Sequence, residues 1–172
     1  VFCEIHTYNK IPKILNNVKG VILSGSPFSV FDADAPSVDF DSFKGKFPVL
    51  AVCYGAQLIA HNYNGQVMRS QIREYGRAKL SFIDDDVLFK GIDLDSQVWM
   101  SHGDTICKLP LKAKKIASTS DVDVAGFKLE GESTYGLQFH PEVYHSTQGS
   151  LLLHNFVVDI CGFNQSWTPD SF

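Results

Sequence analysis

Phe-Pro-Val-Leu-Ala-Val-Cys-Tyr-Gly-Ala-Gln-Leu-Ile-Ala-His-Asn-Tyr-Asn occupies residues 47–64 and decides how the rest of the chain is read. Residues 49–52 are an unbroken apolar run behind Pro48, which predicts a strand covered on both faces. Residues 56–62 take a helical pattern that stops near Asn64-Gly65. Cys53, Tyr54 and Gly55 stand between the two. A cysteine on so sharp a strand-to-helix turn is lifted out of the sheet, and the free N–H groups and positive dipole end of the following helix point at its sulfur. This is the layout of a nucleophile elbow, with Cys in place of Ser. A lone cysteine at a strand end is more often a small buried apolar residue; a second motif far downstream reverses that preference.

At 172 residues the chain is most simply one domain, 1–172, large enough to bury about 70% of the surface its unfolded form exposes. No apolar run approaches the roughly 20 residues of a membrane span, so a soluble protein is expected. A net charge of −4 offers no basic patch and argues against nucleic acid as a partner. Cys3, Cys53, Cys107 and Cys161 are scattered, with no Cys-x-x-Cys pair and no signal peptide, which points to reduced thiols in a cytoplasm. No metal site is expected.

Along the chain, residues 1–6 alternate as a strand would, and residues 10–18 suggest a weak helix with Pro12 in its first turn. Gly20-Val-Ile-Leu23 predicts a second buried strand, ending in the turn Ser24-Gly-Ser-Pro27, where ligand loops of α/β chains sit. Residues 28–45 read as a surface loop with at most a short helix. Residues 66–68, 77–83 and 87–89 alternate and predict short antiparallel strands. Residues 98–104 predict a strand running into a turn, 114–120 and 124–130 two more strands, and 135–139 the last, which delivers His140-Pro-Glu142. Residues 149–161 carry apolar side chains at helical spacing up to Gly162, and 163–172 resemble a linker.

The carboxyl ends of parallel strands share one rim, so Cys53 and His140 can meet there as nucleophile and base. His140 would take the thiol proton and later protonate a leaving amine, while Glu142 would orient the imidazole and stabilise its charged form. Taken singly, His140 would more often be structural and Glu142 a surface charge. Oxyanion donors are available from the backbone of Tyr54 and from the Gly25-Ser26 turn on the neighbouring strand.

Val52-Cys-Tyr-Gly-Ala-Gln57, Ser24-Gly-Ser-Pro27 and Gly136-Leu-Gln-Phe-His-Pro-Glu142 together resemble the class I (triad) glutamine amidotransferases. Trp99-Met-Ser-His-Gly-Asp104, Arg73-Glu-Tyr-Gly-Arg77 and Glu142-Val-Tyr-His-Ser-Thr-Gln-Gly149 narrow the resemblance to the glutaminase domains of the GMP synthase family. It implies an α/β three-layer sandwich of flavodoxin-like type, its mostly parallel central sheet flanked by helices, with a small antiparallel sheet added. It also implies a γ-glutamyl thioester on Cys53, with His140 and Glu142 completing the triad. Glutamine would be held by Gln57, Ser101, His102 and Gly103. Arg73, Arg77 and Asp104 would face an ATP-dependent synthetase, fused or separate, that aminates XMP to GMP. No cofactor is then expected in this domain, ATP and Mg belonging to the synthetase; the whole enzyme would be a homodimer. A strand–helix unit would precede Val1 and the synthetase would follow Phe172. Where the family's turn reads Ser-Gly-Gly-Pro this chain has Ser26, whose N–H still donates but which disfavours a positive φ.

Two other readings compete. One is the glutaminase of anthranilate or carbamoyl-phosphate synthesis, against which residues 99–104 and 145–149 argue. The other is a non-catalytic glutamine-binding module, against which an intact Cys53, His140 and Glu142 speak.

Overall fold

The computed structural model describes residues 1–12 and 16–164, excepting the side chains of 70–74. The elements are β1 (Val21–Leu23), β2 (Val49–Val52), α1 (Tyr54–Asn62), β3 (Gln66–Ile83), β4 (Gln97–Lys108), β5 (Ala113–Thr119), β6 (Gly126–Leu129), β7 (Thr134–Leu137) and α2 (Gly149–His154). A π-helical turn, Asn155–Ile160, continues α2. The seven strands lie in the order β1-β2-β7-β6-β5-β3-β4.

Residues 47–64 behave as their composition requires. All four residues of β2 are buried, between parallel partners β1 and β7. Val49 and Ala51 face one layer, where they pack with Tyr54, Leu58 and Ile59 of α1 and with Phe127. Leu50 and Val52 face the other, with Leu137 and with Leu152 and Phe156 of the C-terminal helix. Helices on opposite faces of one sheet make three layers, an α/β sandwich. Gly55 lets α1 sit this close: a Cβ there would fall 2.6 Å from the Leu23 carbonyl oxygen.

Among the described residues only β1, β2 and β7 pair in parallel; the other pairings are antiparallel. The antiparallel part is therefore larger than the small added sheet expected. The connections explain it, since residues 120–125 and 130–133 are too short for the crossover that parallel neighbours need. β3 is long enough to pair with β5 through Leu80–Ile83 and with β4 through its preceding residues. Strand β4, last in the order, curls back until the carbonyl of Trp99 accepts the His140 N–H at 2.9 Å and that of Gln97 accepts the Thr147 N–H at 3.0 Å. An end of the sheet thus closes over the rim where β2 and β7 terminate.

Local differences from expectation have identifiable causes. Residues 1–6 form no strand; Phe2 is 82% and Ile5 96% exposed, and alternation without a neighbouring strand gives no ladder. Of the expected helix 10–18, residues 13–15 lie outside the described residues and the flanking ones are not helical. Val87–Phe89 is a 3₁₀ turn because the Asp86 carboxylate accepts the Leu88 N–H at 2.9 Å, a cap that overrides the alternation. Strand β4 does not turn at Gly103 but runs on to Lys108, held by its register with β3. Residues 165–172 of the expected linker lie outside the described residues.

Candidate active site

Cys53 ends β2 and caps α1 with φ 51° and ψ −107°, a conformation few non-glycine residues adopt. Two bonds hold it there: its N–H donates to the Leu137 carbonyl at 2.7 Å, and its own carbonyl accepts the first helical N–H, from Gln57, at 3.1 Å. Strain of roughly 1–3 kcal/mol is thus sustained by the surrounding structure, as at other sharp functional turns. The side chain is 4% exposed. Its thiol faces the Ser101 carbonyl on β4, 3.6 Å away.

His140 follows β7 at the same rim. Its Nδ1 lies 2.6 Å from the Glu142 carboxylate. Its pKa is raised from 6.5 to about 10, first by the side-chain interaction with Cys53 and next by that with Glu142, both outweighing burial. Burial would push the Glu142 carboxyl up, but its bond to His140 prevails and holds it below the ordinary value. Of the three side chains read as a triad from sequence, His140 and Glu142 are directly bonded, and Cys53 lies at the same rim.

Gly25, two residues beyond β1, leaves space beside both reacting groups. A Cβ there would lie 3.1 Å from His140 Cε1 and 3.6 Å from Cys53 Cβ. Neither Gly25 nor Ser26 has a positive φ, so serine at position 26 introduces no backbone strain. The Ser26 hydroxyl accepts the Phe28 N–H at 3.3 Å and shapes this turn. Tyr54, first residue of α1, presents its backbone at the helix start, and its hydroxyl donates to the Pro36 carbonyl at 2.5 Å.

Among the residues expected to hold glutamine, Gln57 is buried and its amide donates to the Asp104 carbonyl at 2.8 Å. Ser101 is half-buried beside Cys53, and Gly103 is exposed. His102 is 3% exposed, and burial, the chief cause, lowers its pKa from 6.5 to about 4. The residues assigned to a partner surface separate. Arg77 is exposed, and the side chain of Arg73 lies outside the described residues. Asp104 is 7% exposed, its carboxylate accepting a 2.5 Å bond from the Ser29 hydroxyl. A carboxylate so enclosed is poorly placed for a partner surface.

Sequence reasoning gave no role to Ser29 or to Ser146, which fix Asp104 and the His140 loop respectively. Ser146 lies inside the 142–149 run that carries the resemblance, but a run of residues does not say which hydroxyl bonds across the fold.

An elbow cysteine, an imidazole and a carboxylate on the rim of an α/β sheet define a cysteine-nucleophile transferase or hydrolase site, and the sequence signature of the class-I glutamine amidotransferases matches residues 1–160: the chain belongs to that family. It is 58% identical over 172 residues to glutamine-hydrolyzing GMP synthase 1 of Bacteroides thetaiotaomicron. It is 59% identical over 173 residues to the glutamine-hydrolyzing GMP synthase of Cytophaga hutchinsonii. These comparisons cover 99% and 100% of this chain but only 34% of each relative, so the chain spans about a third of their length. The crystal structure of a Thermoplasma acidophilum protein, provisionally assigned as one chain of a GMP synthase, superposes with TM-score 0.69 at 31% identity, over 86% of this chain and 74% of that one. A Thermotoga maritima glutamine amidotransferase shares the fold, with TM-score 0.65 at 20% identity, over 90% of this chain and 70% of that one. Among the described residues no helix is long and apolar enough to cross a membrane.

Proposed function

We propose that this chain hydrolyses glutamine through a γ-glutamyl thioester on Cys53 and supplies the ammonia to a synthetase that aminates XMP to GMP in the cytoplasm. The observation that carries the reading is that His140, bonded to the Glu142 carboxylate at 2.6 Å, shares the space beside Gly25 with Cys53: a Cβ at residue 25 would lie 3.1 Å from the His140 ring and 3.6 Å from Cys53 Cβ.

His140 takes the thiol proton, and Glu142, whose carboxylate bonds its Nδ1 at 2.6 Å, stabilises the imidazolium that forms. The sulfur attacks the side-chain amide carbon of glutamine, and the negative oxygen that forms is met by backbone N–H groups of Tyr54 and the Gly25-Ser26 turn. The C–N bond breaks as His140 returns the proton to the departing nitrogen, leaving ammonia and the thioester. Water, deprotonated by His140, then attacks the thioester; glutamate leaves and the thiol is restored. Gln57 and the Ser101–Gly103 backbone hold the amino-acid part of glutamine, and Arg77 and Arg73 belong to the side facing the synthetase.

Glutamine hydrolysis by this route requires no cofactor; ATP and Mg serve the synthetase. Support for that partner comes from the relatives, glutamine-hydrolyzing GMP synthases of which this chain matches about a third. The assembled enzyme is a homodimer. In the whole protein, Cys53→Ala removes glutamine-dependent amination and leaves amination by added ammonia intact. Loss of both, or of neither, refutes the role given to Cys53.

A further inference from the structure

Ser146 is 6% exposed and lies six positions beyond His140 in the loop before α2. Its hydroxyl makes two bonds at once. It donates to the carbonyl of His140 at 2.5 Å and accepts the N–H of Trp99 at 3.1 Å. The N–H of His140 meanwhile donates to the Trp99 carbonyl at 2.9 Å. Both backbone groups of the base are thereby tied to one residue of β4, directly on one side and through Ser146 on the other. Trp99 is two residues before Ser101, whose carbonyl faces the Cys53 sulfur.

The consequence is a shared reference frame. Cys53 is placed by β2 and β7, whereas the loop carrying His140 leaves β7 and would be free to swing at its next residues. Ser146 returns that loop to β4, the strand that also lines the sulfur. The rest of the loop is zipped to the same strand: the Gln97 amide donates to the His145 carbonyl at 2.6 Å, and His145 stacks on Trp99 with ring centroids 4.3 Å apart. Of these contacts, the Ser146 bridge is the side-chain one that reaches the backbone of the base itself.

We propose that Ser146 is a positioning residue for the glutaminase reaction, locking the His140 backbone so that the imidazole stays in line between Cys53 and Glu142. The inference rests on the proposed function, and acts on the chemical step rather than on glutamine binding. Threonine would serve equally: Ser146 lines a cavity of about 10 Å³ with Val98, Phe139 and Leu152, room for one water-sized group such as a methyl.

The test is steady-state glutamine hydrolysis by the whole protein, comparing wild type with Ser146→Ala, Ser146→Thr and the Cys53→Ala control, with the thermal midpoint measured for each. Ser146→Ala should lower kcat about 10–100-fold, since misplacement of a reacting group by about 1 Å costs on the order of 100-fold. KM should stay within about threefold, and Ser146→Thr should restore most of the rate. If the alanine variant does not fold, Ser146→Cys, similar in size but a weak donor, should show the same loss of kcat. An unchanged kcat in the alanine or cysteine variant, or a threonine variant as slow as alanine, overturns the inference while leaving the proposed function standing. A wild type without glutaminase activity that Cys53→Ala abolishes overturns the proposed function, and the inference with it.

Discussion

Gly25→Ala adds one methyl group at a position defined by the geometry of the site. The new Cβ would stand 3.1 Å from His140 Cε1, 3.9 Å from His140 Nε2 and 3.6 Å from Cys53 Cβ. Carbon atoms rest about 3.5–4.0 Å apart, so the ring must retreat by roughly 0.4 Å or more. It cannot do so freely, because a 2.6 Å bond to Glu142 and the backbone bond to Trp99 hold it. The methyl therefore acts as a wedge beside nucleophile and base. Misplacement of reacting groups by about 1 Å costs on the order of 100-fold, so this smaller shift should lower kcat about 10-fold, or about 1.4 kcal/mol of barrier. Gly25 has no positive φ, so alanine brings no backbone strain, and the thermal midpoint should move by no more than about 4 °C. The assay is glutamine hydrolysis by the whole protein beside a thermal melt. A kcat within twofold of wild type would refute the wedge, and so would a melt showing that activity fell only because the fold did.

Other expectations follow from single environments. His102 has a folded pKa of about 4, below its ordinary 6.5, so the folded state binds fewer protons than the unfolded one between those values. Stability should thus be intact above pH 6.5 and fall as pH drops toward 4, by an amount on the order of 3 kcal/mol when complete. Urea midpoints across that window, flattened in a His102→Gln variant, check it; an identical decline in both proteins contradicts it. Gly149→Ala would put a Cβ 1.9 Å from the Pro141 carbonyl oxygen, a clash with backbone that cannot rotate away. Overpacking of this kind costs roughly 1–3 kcal/mol, so the melt should shift down by about 2–12 °C, and an unchanged midpoint would contradict the packing. A glutamine-mimicking electrophile should label Cys53 and spare Cys3, Cys107 and Cys161, the last having its pKa pushed up to about 11 by burial. Equal labelling by peptide mass spectrometry would show that no thiol is specially activated.

The legible part of this fold was local. The run 49–52 followed by Cys53 announces a doubly covered strand and an elbow, because burial on two faces and a sharp turn each have a sequence signature. His140-Pro-Glu142 at a strand end is legible for the same reason, since a rim collects strand termini. What could not be read was the path of β4. Its alternation predicts a strand, but nothing local says that an end of the sheet curls over the rim to meet His140 and Cys53. Burial of Asp104 follows from that curl and from Ser29, so a carboxylate that reads as a surface charge ends up enclosed. The run 142–149 was legible as a motif, but the part Ser146 plays in it was not: its bonds run to the backbone of residues 99 and 140, and hydroxyls carry no pattern of their own. Residues 1–6 show the opposite error, since a period-two pattern promises a strand only where another strand lies alongside.

The central claim is that Cys53 becomes acylated by glutamine with His140 as its base. Whole protein mixed with glutamine and quenched in acid within the first turnovers should yield, by mass spectrometry, a γ-glutamyl adduct on the peptide carrying Cys53, lost in Cys53→Ala and strongly reduced in His140→Ala. Glutamate released at the wild-type rate by the Cys53→Ala protein would contradict the account outright.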